Sequence, residues 1–256
     1  MSLQALIFDV DGTLADTERD GHRVAFNQAF TEAGLDWVWS VELYADLLSV
    51  TGGKERIRHY LRRYRQDFQV PGGGDLDAFI ADLHGSKTRH YVALLESGGI
   101  PLRPGVARLL GEAREAGMRL AIATTTTPKN VEVLLRTTLG EQAIDWFDVV
   151  AAGDVVPAKK PAPDIFSHAL EAMQLPPEAC LAFEDSQHGL AAARGAGCRT
   201  LVTVNDYTRG QDFSDAWLVV DDLGEPDQPC KVLKGDLDGD AWVTAEGLRR
   251  VFDRQG

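Results

Sequence analysis

From Val106 onward the chain alternates short apolar runs with amphipathic stretches long enough for a helix. VARLLGEAREAG leads into RLAIAT, NVEVLLRTTLG into FDVVAAG, APDIFSHALEAM into CLAFED, and SQHGLAAARGAG into TLVTV. Apolar strands separated in this way are joined by helical crossovers, which builds a parallel sheet buried on both faces. One more such strand, ALIFDV (Ala5–Val10), stands apart near the start of the sequence. Between it and Gly98 the pattern is helical throughout. Stretches expected as helix run over about 17–34, where Phe26, Phe30 and Ala33 have i, i+4, i+7 spacing, and over about 41–50, 54–66 and 76–97, with PGGGD (Pro71–Asp75) as a loop. The expected fold class is therefore α/β: a Rossmann-like parallel-sheet core made of residues 1–15 and 104–256, with an all-helical cap inserted at residues 16–103.

A chain of 256 residues with 44% hydrophobic content has ample material for such a core. No apolar run approaches the roughly 20 residues of a membrane helix, and MSLQALIF is too poor in apolar residues for a signal peptide. Three cysteines, Cys180, Cys198 and Cys230, lack metal-ligand spacing and fit reduced thiols in a cytoplasm. A monomer without a membrane partner is the further expectation. The net charge of −13, without a basic block, argues against nucleic acid as a partner. A small anionic substrate is compatible, provided a few basic side chains or a divalent cation supply local positive charge.

Ligands of open parallel sheets sit beyond the carboxyl ends of the strands. Polar residues collect at those ends: Asp9 and Asp11 after the first strand, Thr124 after RLAIA, the 154–160 loop after FDVVAAG, and Glu184 with Asp185 in FEDS. Asp9 and Asp11 are two apart, so on an extended chain they share a face about 6–7 Å apart. Two such carboxylates repel unless a cation sits with them. An Asx-turn or a helix N-cap accounts for one Asp, but not for both together with Thr13 and Asp16.

FDVDGT, Thr124 in LAIATTT, Lys160 in AKKPAPDIF and FEDS, in this order, resemble the four motifs of the haloacid dehalogenase-like superfamily. The resemblance implies Asp9 as a nucleophile that forms an aspartyl-phosphate and Asp11 as the acid and base. It implies Mg²⁺ held by Asp9, the Asp11 backbone carbonyl and Asp185, with Glu184 supporting the metal. Thr124, the Thr125 amide and Lys160 would clamp the phosphoryl oxygens. Of the adjacent Lys159 and Lys160, the position directly before PAPD favours Lys160.

An insertion straight after the first motif resembles the C1-cap branch, and DTERDGHRVAFN (Asp16–Asn27) with TGGKERI (Thr51–Ile57) is similar to the CbbY-type sugar bisphosphate phosphatases, which remove the 1-phosphate of xylulose 1,5-bisphosphate. On that resemblance Thr51, Gly52, Gly53 and Lys54 would bind a second phosphate. Glu18 and His22, about one helical turn apart, are expected to hydrogen-bond sugar hydroxyls, and Thr126 and Thr127 to reach substrate hydroxyls or the distal phosphate. On the residues alone, Gly52–Lys54 suits either an anion site at a helix start or a helix end followed by a solvated lysine. Tyr44, Lys129 and Asn130 are further candidates. The resemblance implies a phosphorylated sugar as the partner.

The rivals are a β-phosphoglucomutase, which shares the four motifs, a phosphoglycolate phosphatase, and a phosphoacceptor signalling domain, against which the large helical insertion counts. DLDGDAWVTAEGL (Asp236–Leu248) resembles half of an EF-hand loop but has Ala241 at the required glycine, so an acidic turn leading into a terminal helix on the core is expected.

Overall fold

The computed structural model describes residues 2–50 and 52–254. Contacts divide the chain into two compact units, Met1–Asp16 with Pro101–Gly256, and Thr17–Ile100. The strands are β1 (Ala5–Phe8), β2 (Arg119–Thr124), β3 (Val149–Ala152), β4 (Cys180–Glu184), β5 (Arg199–Thr203), β6 (Leu218–Val220) and β7 (Val232–Lys234). The helices are α1 (Arg23–Glu32), α2 (Val41–Leu47), α3 (Gly53–Tyr64), α4 (Leu76–Glu96), α5 (Val106–Glu115), α6 (Pro128–Leu139), α7 (Asp164–Met173), α8 (Gln187–Gly195) and α9 (Ala245–Arg254).

The sheet-bearing unit orders its strands β3-β2-β1-β4-β5-β6-β7. Every neighbouring pair from β3 to β6 is parallel, as the crossover pattern predicts. The first strand lies inside the sheet between β2 and β4, with Ala5 level with Arg119 on one side and Cys180 on the other. All four of its residues are buried, which is why it reads as a continuous apolar run. On one face, small residues (Ala5, Ala121, Ala123, Ala182) let α7 and α8 approach, and Phe166, Met173 and Ala193 fill the space. Phe8 stacks on Phe183 with ring centroids 4.3 Å apart.

Two strands extend this unit beyond the expected series. β6 continues it in parallel, and β7 closes the edge antiparallel, with Val219 level with Lys234. Each is three residues long, and β7 is exposed throughout, so neither carries a periodic apolar signal. The C-terminal helix α9 buries Leu248, Val251 and Phe252. In the acidic segment before it, Asp238 pairs with Arg250 and Arg254 and Asp240 with Arg250, so arginines neutralise these carboxylates.

The helical unit packs α1 on α4 and α3 on α4. Its core is aromatic: Trp39 lies 4.6 Å from Phe26 and 4.8 Å from Phe30 between centroids, and Trp37 packs edge-on against Phe30 and Tyr60. The side chains of Ser40 and Asp75 cap α2 and α4 by accepting the backbone N–H groups of Leu43 and Ala78. Two expectations change here. Thr17–His22 is a π-helical turn before α1, and Ala33 is exposed because α1 ends at Glu32, leaving Ala33 as its C-cap.

Candidate active site

Two adjacent strand ends of the sheet-bearing unit, those of β1 and β4, bring the acidic residues together. The Asp9 backbone N–H donates to the Phe183 carbonyl at 3.0 Å, which extends the pairing of β1 with β4 by one step and sets Asp9 beside Glu184 and Asp185. Carboxylate oxygens of Asp9, Glu184 and Asp185 lie within 4.8 Å of one another, and all three residues are buried. Lys160 reaches in from the loop after β3. Its Nζ donates to Asp9 Oδ1 at 2.6 Å and to Glu184 Oε1 at 2.5 Å. The adjacent Lys159 turns away, to the Gly153 carbonyl and Asp154.

Burial disfavours the charge on Lys160, but the facing carboxylates of Asp9 and Glu184 outweigh it and raise its pKa, so it is a permanent ammonium. Burial pushes the Glu184 carboxyl up, with Asp9 adding to the push and Lys160 opposing it. Asp185 is raised well above the carboxylate range by burial and by the charges of Glu184 and Asp9. One ammonium does not balance three buried carboxylates. The remaining negative charge, carried by hard oxygen donors, suits a divalent cation.

The turn after β1 leaves room for this cluster. Gly12 has φ 86°, and a Cβ there would overlap the Asp185 carboxylate and come within 2.8 Å of Asn205 Nδ2. Asp11 lies in the same turn, half-buried and bridged to Ala15, and its carboxylate is outside the three-residue cluster. At the end of β2, Thr124 is fully buried and its Oγ1 accepts the Thr126 N–H at 3.3 Å. Thr125 is exposed, and the half-buried Thr126 accepts from Asn130 Nδ2 through its hydroxyl at 3.2 Å. Glu184 is tied to Lys160 and to the Asp185 backbone N–H, and its carboxylate fills the space where a Cβ on Gly189 would sit.

Asn205 and Arg103 were not singled out from the sequence. Asn205 follows β5 and donates from Nδ2 to Asp185 Oδ2 at 2.7 Å. It stands just beyond a strand end, so the reasoning that finds Asp9 and Thr124 reaches it too. Arg103 carries no such mark.

The helical unit has its own polar cluster. Tyr44 donates its hydroxyl to Glu18 Oε2 at 2.7 Å and accepts from Arg56 Nη1 at 2.7 Å. Lys87 Nζ lies 2.8 Å from His22 Nδ1 and over the rings of Phe26 and Tyr91. Burial lowers the His22 pKa to about 3, with Glu18 opposing and Lys87 and Arg56 adding to the shift. His84 is likewise pushed down, by burial and then by the ammonium groups of Lys87 and Lys54. Gly52 precedes α3 as its N-cap, Gly53 begins the helix, and Lys54 is exposed in its first turn. Thr51 lies outside the described residues. Arg56, His84 and Lys87 were not anticipated as part of this cluster; nothing in their spacing sets them apart from ordinary helix residues.

The model of the haloacid dehalogenase-like hydrolases matches residues 3–197. Protein CbbY of Rhodobacter capsulatus is 54% identical over 222 residues, covering 86% of this chain and 94% of that protein. The crystal structure of a CbbY mutant from Rhodobacter sphaeroides in complex with xylulose-(1,5)bisphosphate is 49% identical, with a TM-score of 0.70 over 86% of this chain and 94% of that one. A putative beta-phosphoglucomutase from Thermotoga maritima is 26% identical, with a TM-score of 0.67 over 85% of this chain and 94% of that one. The chain belongs to the haloacid dehalogenase-like hydrolase family and is an enzyme of the phosphoric monoester hydrolase type.

Proposed function

We propose that the protein hydrolyses a phosphate ester of a small sugar bisphosphate, with xylulose 1,5-bisphosphate as the first substrate to test. The observation that carries this reading is the Lys160 ammonium held 2.6 Å from Asp9 in a site with an excess of buried carboxylate. The likeness to a CbbY crystallised with that bisphosphate supports the choice of sugar.

In this reading the Asp9 carboxylate attacks phosphorus while the ester P–O bond breaks, leaving an aspartyl-phosphate. Asp11 gives its proton to the departing sugar oxygen. It then takes a proton from the water that attacks the aspartyl-phosphate, releasing inorganic phosphate and restoring Asp9. Lys160 and the Thr124 hydroxyl stabilise charge on the phosphoryl oxygens, and Glu184 keeps Lys160 aimed at Asp9. Asp9, the Asp11 carbonyl and Asp185 would hold Mg²⁺, which supplies Lewis-acid neutralisation of the phosphate when bound. The helical unit supplies recognition: Glu18 and His22 for sugar hydroxyls, and the start of α3 with Gly52, Gly53 and Lys54 for the second phosphate. The ammonium groups of Lys54 and Lys87 that bear on His84 make this region favourable for an anion.

The test is Mg²⁺-dependent phosphate release from xylulose 1,5-bisphosphate, ribulose 1,5-bisphosphate, fructose 1,6-bisphosphate, β-glucose 1-phosphate and phosphoglycolate. Release from the bisphosphates and its loss in Asp9→Asn support the reading. No release from any of them, or full activity in Asp9→Asn, overturns it. Isomerisation of β-glucose 1-phosphate without net phosphate release would assign phosphoryl transfer instead.

A further inference from the structure

Arg103 is buried in the sheet-bearing unit, two residues past its boundary at Pro101. Its guanidinium gathers carbonyls from three separate segments. Nη1 donates to the carbonyl of Gly12 and, at 3.0 Å each, to the carbonyl and hydroxyl of Thr203. Nη2 donates to the carbonyls of Val204 at 2.6 Å and Asp221 at 2.7 Å. Nε lies 3.6 Å from Asp16, and the Arg103 N–H donates to Leu14 at 2.8 Å. A planar fork with five donors can join this many carbonyls at fixed angles, and a lysine cannot.

Two of the three segments carry site residues. Gly12 directly follows Asp11, and Val204 directly precedes Asn205. The Asn205 amide is held at both ends: Oδ1 accepts the Tyr207 N–H at 2.9 Å, and Nδ2 donates to Asp185 at 2.7 Å. A further bond, from the Asn205 N–H to Thr208 Oγ1 at 3.1 Å, fixes its backbone. A continuous set of bonds thus runs from the turn bearing Asp11, through Arg103 and the end of β5, to the carboxylate of Asp185.

We propose that Arg103 and Asn205 are a positioning pair for the acidic centre, Arg103 locking the turn after β1 to the end of β5 and Asn205 passing that position to the Asp185 carboxylate. This rests on the reading above in which Asp185 holds a divalent cation. In this role both act through the Asp185 carboxylate rather than on substrate. Their role is to keep Asp185 at a fixed distance from Asp9 although the two carboxylates repel.

The experiment measures Mg²⁺ binding to metal-free protein by titration calorimetry, alongside the Mg²⁺ dependence of phosphate release. Asn205→Ser retains an oxygen for the turn but is too short to reach Asp185. It should weaken Mg²⁺ affinity about tenfold or more, with turnover restored by raised Mg²⁺. Arg103→Lys should weaken affinity to a similar degree, and the double variant should be little worse than either single one, since both act on one carboxylate. An unchanged Mg²⁺ affinity in Asn205→Ser overturns the proposal whether or not Arg103→Lys folds, and additive losses in the double variant overturn the coupling between the two residues. Wild-type protein that binds no Mg²⁺, or Asp185→Asn that binds it normally, overturns the underlying metal assignment instead.

Discussion

Lys160 Nζ lies 2.6 Å from Asp9 Oδ1, although the two residues are 151 positions apart in sequence. The same ammonium is 2.5 Å from Glu184, so a single cation bridges the ends of two adjacent parallel strands. Lys160→Met leaves both carboxylates without it. Phosphate release should fall about 10²–10³-fold, and stability should drop by about 3–5 kcal/mol because a buried ion pair is broken from one side. Steady-state kinetics and urea unfolding check the two parts separately; an active Lys160→Met removes the clamp from the mechanism.

Asp185 should respond in opposite directions with and without metal. Its raised pKa means that the folded, metal-free protein binds a proton there more tightly than the unfolded chain does. Asp185 therefore costs stability as pH rises above the ordinary carboxylate value of about 3.8. In metal-free protein at pH 7, Asp185→Asn should unfold at the same or a higher temperature than wild type. With excess Mg²⁺ the order should reverse, since ligand at about 100 times its dissociation constant adds about 2.7 kcal/mol to wild type only. Melting curves in EDTA and in Mg²⁺ test both halves.

His22 predicts a pH effect on folding. The Lys87 ammonium can only donate, so at 2.8 Å it fixes His22 Nδ1 as the unprotonated nitrogen and leaves the ring proton on Nε2. With a pKa of about 3 in the fold against 6.5 unfolded, the unfolded chain alone takes up a proton between those values. Stability is then lost as pH falls from about 6.5 to about 3. Glu18 in the same turn, Arg56 on α3, and Lys87 and His84 on α4 are the charged and titratable groups around it. His22→Gln should flatten the fall in urea midpoint across this window; an unchanged slope shows that His22 is not held neutral.

Lys54 should separate one phosphate from two. It is exposed in the first turn of α3, so Lys54→Ala should leave folding unchanged. It should raise KM about tenfold for a bisphosphate and leave a monophosphate nearly unaffected. Equal KM values for the bisphosphate in variant and wild type remove Lys54 from recognition.

The limits of what could be read before the structure follow from element size and from pairing across distance. RLAIAT is a strand over Arg119–Thr124 as expected, because a six-residue apolar run between helical periods has few alternatives. β7 was missed because three exposed residues at a sheet edge have no apolar pattern to show. Asp9, Asp11, Thr124 and Asp185 stand out because each is a polar residue at or just beyond the end of an apolar strand, and Lys160 because it directly precedes PAPD in the segment that resembles the third motif. Arg103 and Lys87 do not, because a buried basic residue has the same local sequence as an exposed one.

The amino-acid sequence by itself determined a parallel α/β sheet, a helical block after its first strand, and carboxylates where strands end. Those properties depend on hydrophobic periodicity, which is local. Tertiary structure alone decided that Lys160 serves Asp9 and Glu184 together, that Asn205 holds Asp185, and that Arg103 joins the turn after β1 to the end of β5. These pairings depend on β1 lying beside β4 and β4 beside β5, and strand order is set by how the helices pack over the sheet, which no single segment encodes.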